Sequence, residues 1–252
     1  MEKGGAFLSK LKEIVGSGAM ETHPSSLRRY AVSGALPAAV VAPGEADMLA
    51  EVMEAASSRS GKLVISGSGA KLNTGFQPDG QFVAVSMREL DRVCDHDVPN
   101  FTVTAQTGTV LSSLHDALAQ EGQFLPLDPP YKEATLGGSL CSNNNGPLRL
   151  LYGGLRDLVL GAKAIIPGGS RGSFGGKVVK NVAGYDISRF LIGSMGTLCV
   201  VEEVTMKLFP LPEREATCAA LFREFDPALI VAEELRASQL SPARVVLLNH
   251  GA

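Results

Sequence analysis

Three short stretches hold most of the residues able to do chemistry. The first is Ser66, Gly67, Ser68, Gly69, Ala70, Lys71 and Leu72, directly after the apolar run Leu63, Val64 and Ile65. Glycines at 67 and 69 leave several backbone N–H groups free to converge on an anion such as a diphosphate. The spacing imitates the dinucleotide fingerprint G-x-G-x-x-G but puts Leu72 at the third glycine. The residues that follow (Asn73, Thr74, Gly75, Pro78) do not open a helix, so a nicotinamide-dependent Rossmann fold is disfavoured. A tight surface turn is the alternative for any single loop of this kind. A nucleotide P-loop is excluded, because Gly176-Lys177 has Arg171 five positions ahead of it and Val178 behind.

The second stretch runs from Pro129 to Gly146. Thr135 and Ser142 offer hydroxyls, Asn143, Asn144 and Asn145 offer amides, and Gly137, Gly138 and Gly146 keep the backbone open beside Leu136 and Leu140. Such a mixture suits a long ligand with polar and aromatic parts; a solvated turn is again the alternative. The third stretch starts at Tyr152-Gly153-Gly154, where Arg156 and Asp157 are expected to form a local ion pair of little energetic weight. Four cysteines (94, 141, 199, 218) without a C-x-x-C pair argue against a zinc ribbon or a redox dithiol and fit a reducing compartment. The histidines at 23, 96, 115 and 250 have no metal or triad spacing, and His115 is expected on the solvated face of its helix.

These loops need elements to position them. Leu8, Leu11, Ile14 and Val15 predict an N-terminal amphipathic helix stopped by Gly16. Residues 38–41, a helix over 45–57 and a strand over 62–65 form a strand–helix–strand unit of the kind that joins parallel strands. Further strands are predicted at 82–86 and 101–106, then a helix carrying Leu111, Leu114 and Leu118 that closes at Gly122. Strands at 159–166 and 198–208 follow with a helix between them, and Val200, Val204, Met206 and Leu208 are assigned to one face. Pro210 and Pro212 mark a boundary; beyond it a strand, a helix over 227–238 and a strand over 245–248 are expected.

Composition bounds the function. With 45% apolar and 19% charged residues in 252, the chain reads as an ordinary globular α/β or α+β protein. A net charge of -3 gives no reason to expect nucleic acid. No apolar run reaches the roughly 18 residues of a membrane helix, and the N-terminus lacks the apolar core of a secretory signal. Half of the 28 glycines lie between residues 137 and 196, which implies backbone that turns sharply or comes close to a ligand.

Taken in order, the motifs resemble the FAD-binding (PCMH-type) fold of the vanillyl-alcohol oxidase and p-cresol methylhydroxylase superfamily, from about residue 35 to 212. The loop at 66–72 looks like that family's diphosphate loop. Thr135, Leu136, Gly137 and Gly138, with Asn143 and Gly146, are similar to its T-[IV]-G-G-x-x-x-x-N-x-x-G loop. The segment from Tyr152 to Val159 matches the one that follows, and residues 193–204 resemble the closing G-S-x-G-x-L-G-x-[IV]-x-E-V. Within the superfamily, the stretch from Phe174 to Arg189 and an apolar Met195 in G-S-x-G resemble the FAD-binding E subunit of bacterial glycolate oxidases.

The resemblance implies an α+β fold of two α/β lobes with FAD between them. It implies an N-terminal lead-in (1–34), the FAD-binding domain (35–212) and the start of a cap (213–252). The FAD is expected to be non-covalent, since no histidine follows the first glycines. Its diphosphate is expected across the N–H groups of residues 67–71, gripped from the other side by the loop carrying Pro129, Thr135, Gly137 and Gly138. Ser142, Asn143 and Gly146 are expected near the ribityl chain and ring edge, and Val200 and Val201 at the nucleotide or ring through their backbone. Cys199 stands where the family has glycine, which is tolerable if its φ is not positive. Cys141 falls near the flavin by analogy; as a residue it reads as a small buried apolar group. Lys177, Lys180, Tyr185 and Arg189 are candidates for a substrate-carboxylate pocket, with surface or packing roles as the alternative; no catalytic base and no metal ligands are assigned.

The implied function is that of an FAD-binding subunit in a glycolate oxidase-like complex acting on a small 2-hydroxy acid, with a catalytic FAD subunit and an iron–sulfur subunit as partners. A cytoplasmic place, peripheral to the inner membrane through the complex, goes with it. The alternatives are a stand-alone flavoenzyme for another substrate and a mainly structural assembly subunit with incidental FAD.

Overall fold

Backbone alternation and helix periodicity organise the chain around two sheets. The computed structural model describes residues 2–75, 77–176 and 187–249. The first lobe contains α1 (Glu2–Val15), β1 (Met20–Glu21), α2 (Pro24–Leu27), β2 (Ala39–Val41), α3 (Ala46–Ser58), β3 (Leu63–Ser66) and β4 (Val83–Ser86). Its sheet has the order β1-β2-β4-β3, with β2, β4 and β3 parallel. The predicted strand–helix–strand unit is therefore β2–α3–β3, and β4 lies between its two strands. Successive side chains of a strand point to opposite faces. Ala39, Val41, Val83 and Val85 accordingly pack against Phe7, Leu11 and Val15 of α1 and Leu49 and Val52 of α3, while Val40 and Ala84 meet Leu27 and Tyr30 on the other face. Pro24 starts α2, which His23 caps by accepting from the Ser25 N–H.

The second lobe begins with β5 (Val93–Asp97), β6 (Thr102–Gln106), α4 (Leu111–Ala119) and β7 (Gln123–Phe124). Next come α5 (Leu136–Cys141), α6 (Arg149–Tyr152), α7 (Leu155–Leu158), β8 (Val159–Ile165), β9 (Arg171–Gly175) and α8 (Ile187–Phe190). β10 (Val200–Lys207) and β11 (Phe209–Pro210) complete it. The main sheet is antiparallel, in the order β5-β6-β10-β8-β9. Leu111, Leu114 and Leu118 of α4 and Leu136 and Leu140 of α5 cover one face of it, with Val201, Val204 and Met206 from its centre.

The expected single face of β10 is corrected. Its register slips between Val201 and Glu203, so Glu202 is a bulge, and one extra residue switches the side that follows. Val201, Val204, Met206 and Leu208 enter the second-lobe core, whereas Val200, with Ile165, packs into the first. That switch makes the end of the sheet a joint between lobes. Arg171 reinforces it, reaching Asp47 of α3 at 2.7 Å and the buried Glu202 carboxylate at 3.4 Å.

β5 and β9 carry no apolar alternation, which is why periodicity misses them; each is an edge strand half-open to solvent. The helix between β8 and β10 is a single described turn, α8. His115 is half-buried with an unpartnered Nε2, not solvated, and burial holds its pKa below the usual value against the Leu125 backbone carbonyl, which accepts from the ring and favours its charged form. Asp157 accepts from the Gly154 N–H at 2.9 Å and caps α7. Among the described residues after Pro212 only α9 (Phe225–Ala237) forms, and the two expected flanking strands are absent. None of the described apolar residues of this segment is buried, and Arg244 touches the body at Asp128, 3.7 Å away. No described helix is long and apolar enough to cross a membrane.

Leu11 joins α1 to α3 and β2 and is fully buried. Leu11→Ala is expected to remove roughly 2–5 kcal/mol of stability, the usual cost of such a cavity. Urea unfolding checks it, and a loss too small to measure would mean that α1 is not part of the first core.

Candidate functional site

The two lobes meet at a cleft of about 700 Å³, a size typical of ligand sites. One wall is the loop after β3, at the carboxyl end of a parallel strand, where open α/β sheets bind ligands. Here the chain turns through Gly69 at φ +86°, a conformation that side chains with a Cβ avoid. The Leu72 N–H returns to the Gly69 carbonyl at 3.3 Å, and Asn73 Oδ1 accepts from the Ser33 N–H at 2.8 Å. Within this brace, the N–H groups of Gly67, Ser68, Gly69, Ala70 and Lys71 find no acceptor among the described residues. Five consecutive amides left free along a cleft lining have the chemistry to suit an anion.

The facing wall is the start of α5. Thr135 is its N-cap, with Oγ1 accepting from the Gly138 N–H at 3.2 Å. The Leu136 N–H donates to the Thr109 carbonyl at 2.9 Å and the Gly137 N–H to the Thr107 carbonyl at 2.8 Å. The expected grip by amides from both sides is thus corrected at α5: Leu136, Gly137 and Gly138 spend their N–H groups inside the protein, whereas those of residues 67–71 stay open. Gly67 lies so close to Thr135 that a Cβ on it would collide with the threonine hydroxyl.

Of the residues singled out by sequence, Ser66, Gly67, Ser68, Gly69, Ala70, Lys71, Leu72, Thr135, Gly138, Ser142 and Val200 line this cleft. Gly137 and Val201 line a small cavity behind it, which shares Gly67, Gly138 and Val200. Pro129, Asn143 and Gly146 lie outside both linings. Asn143 sits at φ +51° and accepts from the Asn145 side chain at 2.9 Å, while Gly146 packs against Asp128. Lys177, Lys180 and Tyr185 fall outside the described residues. Arg189 is on the exposed side of α8, away from the cleft lining.

Other lining residues are read from sequence only as parts of elements or motifs, with no role at the ligand assigned to them. Met53 and Leu63 of the first lobe and Met195 and Leu198 of the second add apolar surface. Met195 stands at φ +54°, uncommon for such a side chain. Cys199 is not among the residues with positive φ, so it replaces a glycine without strain. Ser66 and Ser139 line the cleft with buried hydroxyls that have no partner among the described residues.

The electrostatics favour an anion. Among the described residues Lys71 is the one charged side chain in the lining, and no carboxylate is present. Cys141, the last residue of α5, meets the 193–199 loop, its carbonyl accepting from the Met195 N–H at 2.8 Å, and burial pushes its thiol up to about 11. No three His, Cys, Asp or Glu side chains among the described residues come together as metal ligands would. Five free amides, two unpartnered hydroxyls and apolar surface farther along fit a dinucleotide with a diphosphate and flat aromatic ends.

Comparison with known proteins points the same way. The family described as an FAD binding domain matches residues 37–186. Glycolate oxidase subunit GlcE of Escherichia coli (strain K12) is 40% identical over 167 residues, covering 66% of this chain and 47% of that protein. Glycolate oxidase subunit GlcD of Bacillus subtilis (strain 168) is 33% identical over 215 residues, covering 85% of this chain and 46% of that protein. The chain spans about half the length of these relatives. A solved structure of alkyldihydroxyacetonephosphate synthase matches 83% of this chain and 41% of its own, with a TM-score of 0.71 at 22% identity, a likeness of fold alone.

The raised Cys141 thiol yields a direct check. Only the thiolate is alkylated, so iodoacetamide at pH 7.5 is expected to modify Cys141 much more slowly than the exposed Cys218. The Cys141 rate should then climb about tenfold per pH unit towards its pKa. Peptide mass spectrometry reads both sites, and equal rates at pH 7.5 would contradict the buried placement.

Proposed function

This chain belongs to the FAD binding domain family, and from that membership we propose that it is the FAD-binding part of a flavin-dependent 2-hydroxy-acid oxidoreductase of the glycolate oxidase kind. The observation that carries the reading is the row of five unpaired amides at 67–71 in a cleft without a carboxylate. FAD, when bound, supplies the two-electron redox chemistry; the protein supplies binding, orientation and electrostatics.

In this reading the amides of Gly67, Ser68, Gly69, Ala70 and Lys71 hold the diphosphate, and the Lys71 ammonium adds charge. The hydroxyls of Ser66 and Ser139 acquire the partners they lack, and Ser142 and Thr135 flank the chain between diphosphate and ring. Met53, Leu63, Met195 and Leu198 exclude water from the flat groups. Val200 and Val201 contribute through their backbone at the junction of the lobes. The unit spanning residues 35–212 is the FAD-binding domain, and 213–252 is the beginning of a cap whose exposed apolar residues belong against further structure. The names of the glycolate oxidase relatives, each called a subunit, support work within a complex. In that complex a second flavin subunit and an iron–sulfur subunit take up the substrate's electrons, inside the cell.

FAD added to the purified chain should raise its melting temperature, because a ligand bound only by the folded state stabilises it. It should also lose flavin fluorescence on binding. Gly69→Val places a branched side chain at φ +86° against the Arg29 carbonyl and is expected to weaken FAD at least tenfold, since positive φ is a genuine outlier for such residues. A chain that neither quenches flavin fluorescence nor melts higher in excess FAD would refute the reading.

A further inference from the structure

Beside the free amides of 67–71, the two lobes are tied together by charge. Arg29, just after α2, and Arg88, just after β4, each place Nη2 on the same oxygen, Glu133 Oε2, at 2.9 and 2.8 Å. The arginines belong to the first lobe. Glu133 belongs to the second, in a turn closed by the Ala134 N–H on the Tyr131 carbonyl at 3.0 Å. The Ala134 carbonyl accepts in turn from the Leu111 N–H at the head of α4, at 2.9 Å. A second link lies alongside, with the Lys71 ammonium 5.9 Å from the Tyr131 ring centroid. The neighbours of these groups on both sides, Lys71, Tyr131, Ala134 and Thr135, line the cleft. The main-chain carbonyl of Arg29 also backs Gly69, 3.3 Å from where a Cβ would stand. One residue therefore supports the phosphate loop with its backbone and holds the opposite wall with its side chain.

We propose that Glu133 is a positioning residue whose clasp on Arg29 and Arg88 sets how firmly the cleft retains its dinucleotide. This rests on the FAD reading above. Glu133 is outside the cleft lining and acts through the 131–135 turn, which leads straight into the Thr135 cap. A dinucleotide held between the lobes leaves only when the walls part, and parting them at this mouth breaks the clasp. A single exposed ion pair contributes little; here one carboxylate serves two guanidiniums that would otherwise repel each other. Charge alone makes the opposite forecast. Removing the Glu133 charge leaves the cleft mouth more positive, which by simple Coulomb attraction would slow the release of an anionic ligand. The direction of the effect separates the two.

The test uses the whole chain loaded with FAD, with release followed by the return of flavin fluorescence after dilution. Glu133→Gln is expected to release FAD roughly fivefold faster, the scale of one exposed charge network, and to lose the acceleration by NaCl that the native chain shows. Arg88→Gln combined with Glu133→Gln should release no faster than Glu133→Gln alone, because both remove one interaction. Hydrogen exchange in the absence of FAD should quicken at residues 131–138 in the Glu133→Gln chain. Unchanged or slower release, or additive effects in the double variant, overturns the proposal. If the native chain binds no FAD at all, the cofactor reading fails, and exchange alone judges the clasp: equal exchange in both chains refutes it, faster exchange upholds the contact but leaves it no dinucleotide to retain and so overturns the proposal as well.

Discussion

The contact between Gly67 and Thr135 is the constraint on which the site depends. With no Cβ at 67, the loop leaving the parallel sheet settles directly on the cap of α5, a helix that belongs to the other lobe. A Cβ there would collide with the Thr135 hydroxyl and push the two walls apart. The approach of backbone to cap makes this the point where the walls pinch together. The cleft's polar and apolar linings follow from this: free amides at the pinch, hydrophobic residues of both lobes beyond it.

A second consequence concerns which groups remain free for a ligand. Buried backbone donors are almost always satisfied, and the first amides of α5 obey that rule by bonding to Thr107 and Thr109. Those bonds fasten α5 to the end of β6 and so fix the wall. The loop at 67–71 leaves its amides without an acceptor among the described residues, and in a half-open position they are free to take one from a ligand or solvent. One wall is therefore structural and the other chemical, an asymmetry that equal glycine content in the two loops conceals.

The lobes are joined at several levels. Hydrophobic continuity comes from the paired residues Val200 and Ile165, which reach from the second sheet into the first core. Charge adds Arg171 between Asp47 and Glu202 on one side, and Glu133 between Arg29 and Arg88 on the other. The segment after Pro212 has no comparable anchorage: α9 keeps its apolar residues in solvent and Arg244 reaches only Asp128.

Helices with clean periodicity, the buried strands β2, β3, β4, β6 and β8, and the glycine loop at 66–72 were legible in the sequence, because local stereochemistry and a 3.6- or 2-residue repeat determine them. The family motifs likewise marked residues 135–146 and 193–204 as loops of one site. Four things needed tertiary structure. The edge strands β5 and β9 exist through pairing with β6 and β8, not through their own residue pattern. The bulge that puts Val201 rather than Val200 on the face of Val204 and Met206 depends on what each face meets, as does the half-burial of His115. Asn143 and Gly146 match a motif by spacing yet are not among the residues that line the cleft, since a motif records sequence distance and not direction. The clasp at Glu133 joins residues 104 and 45 positions apart, a separation over which no local rule of sequence carries information.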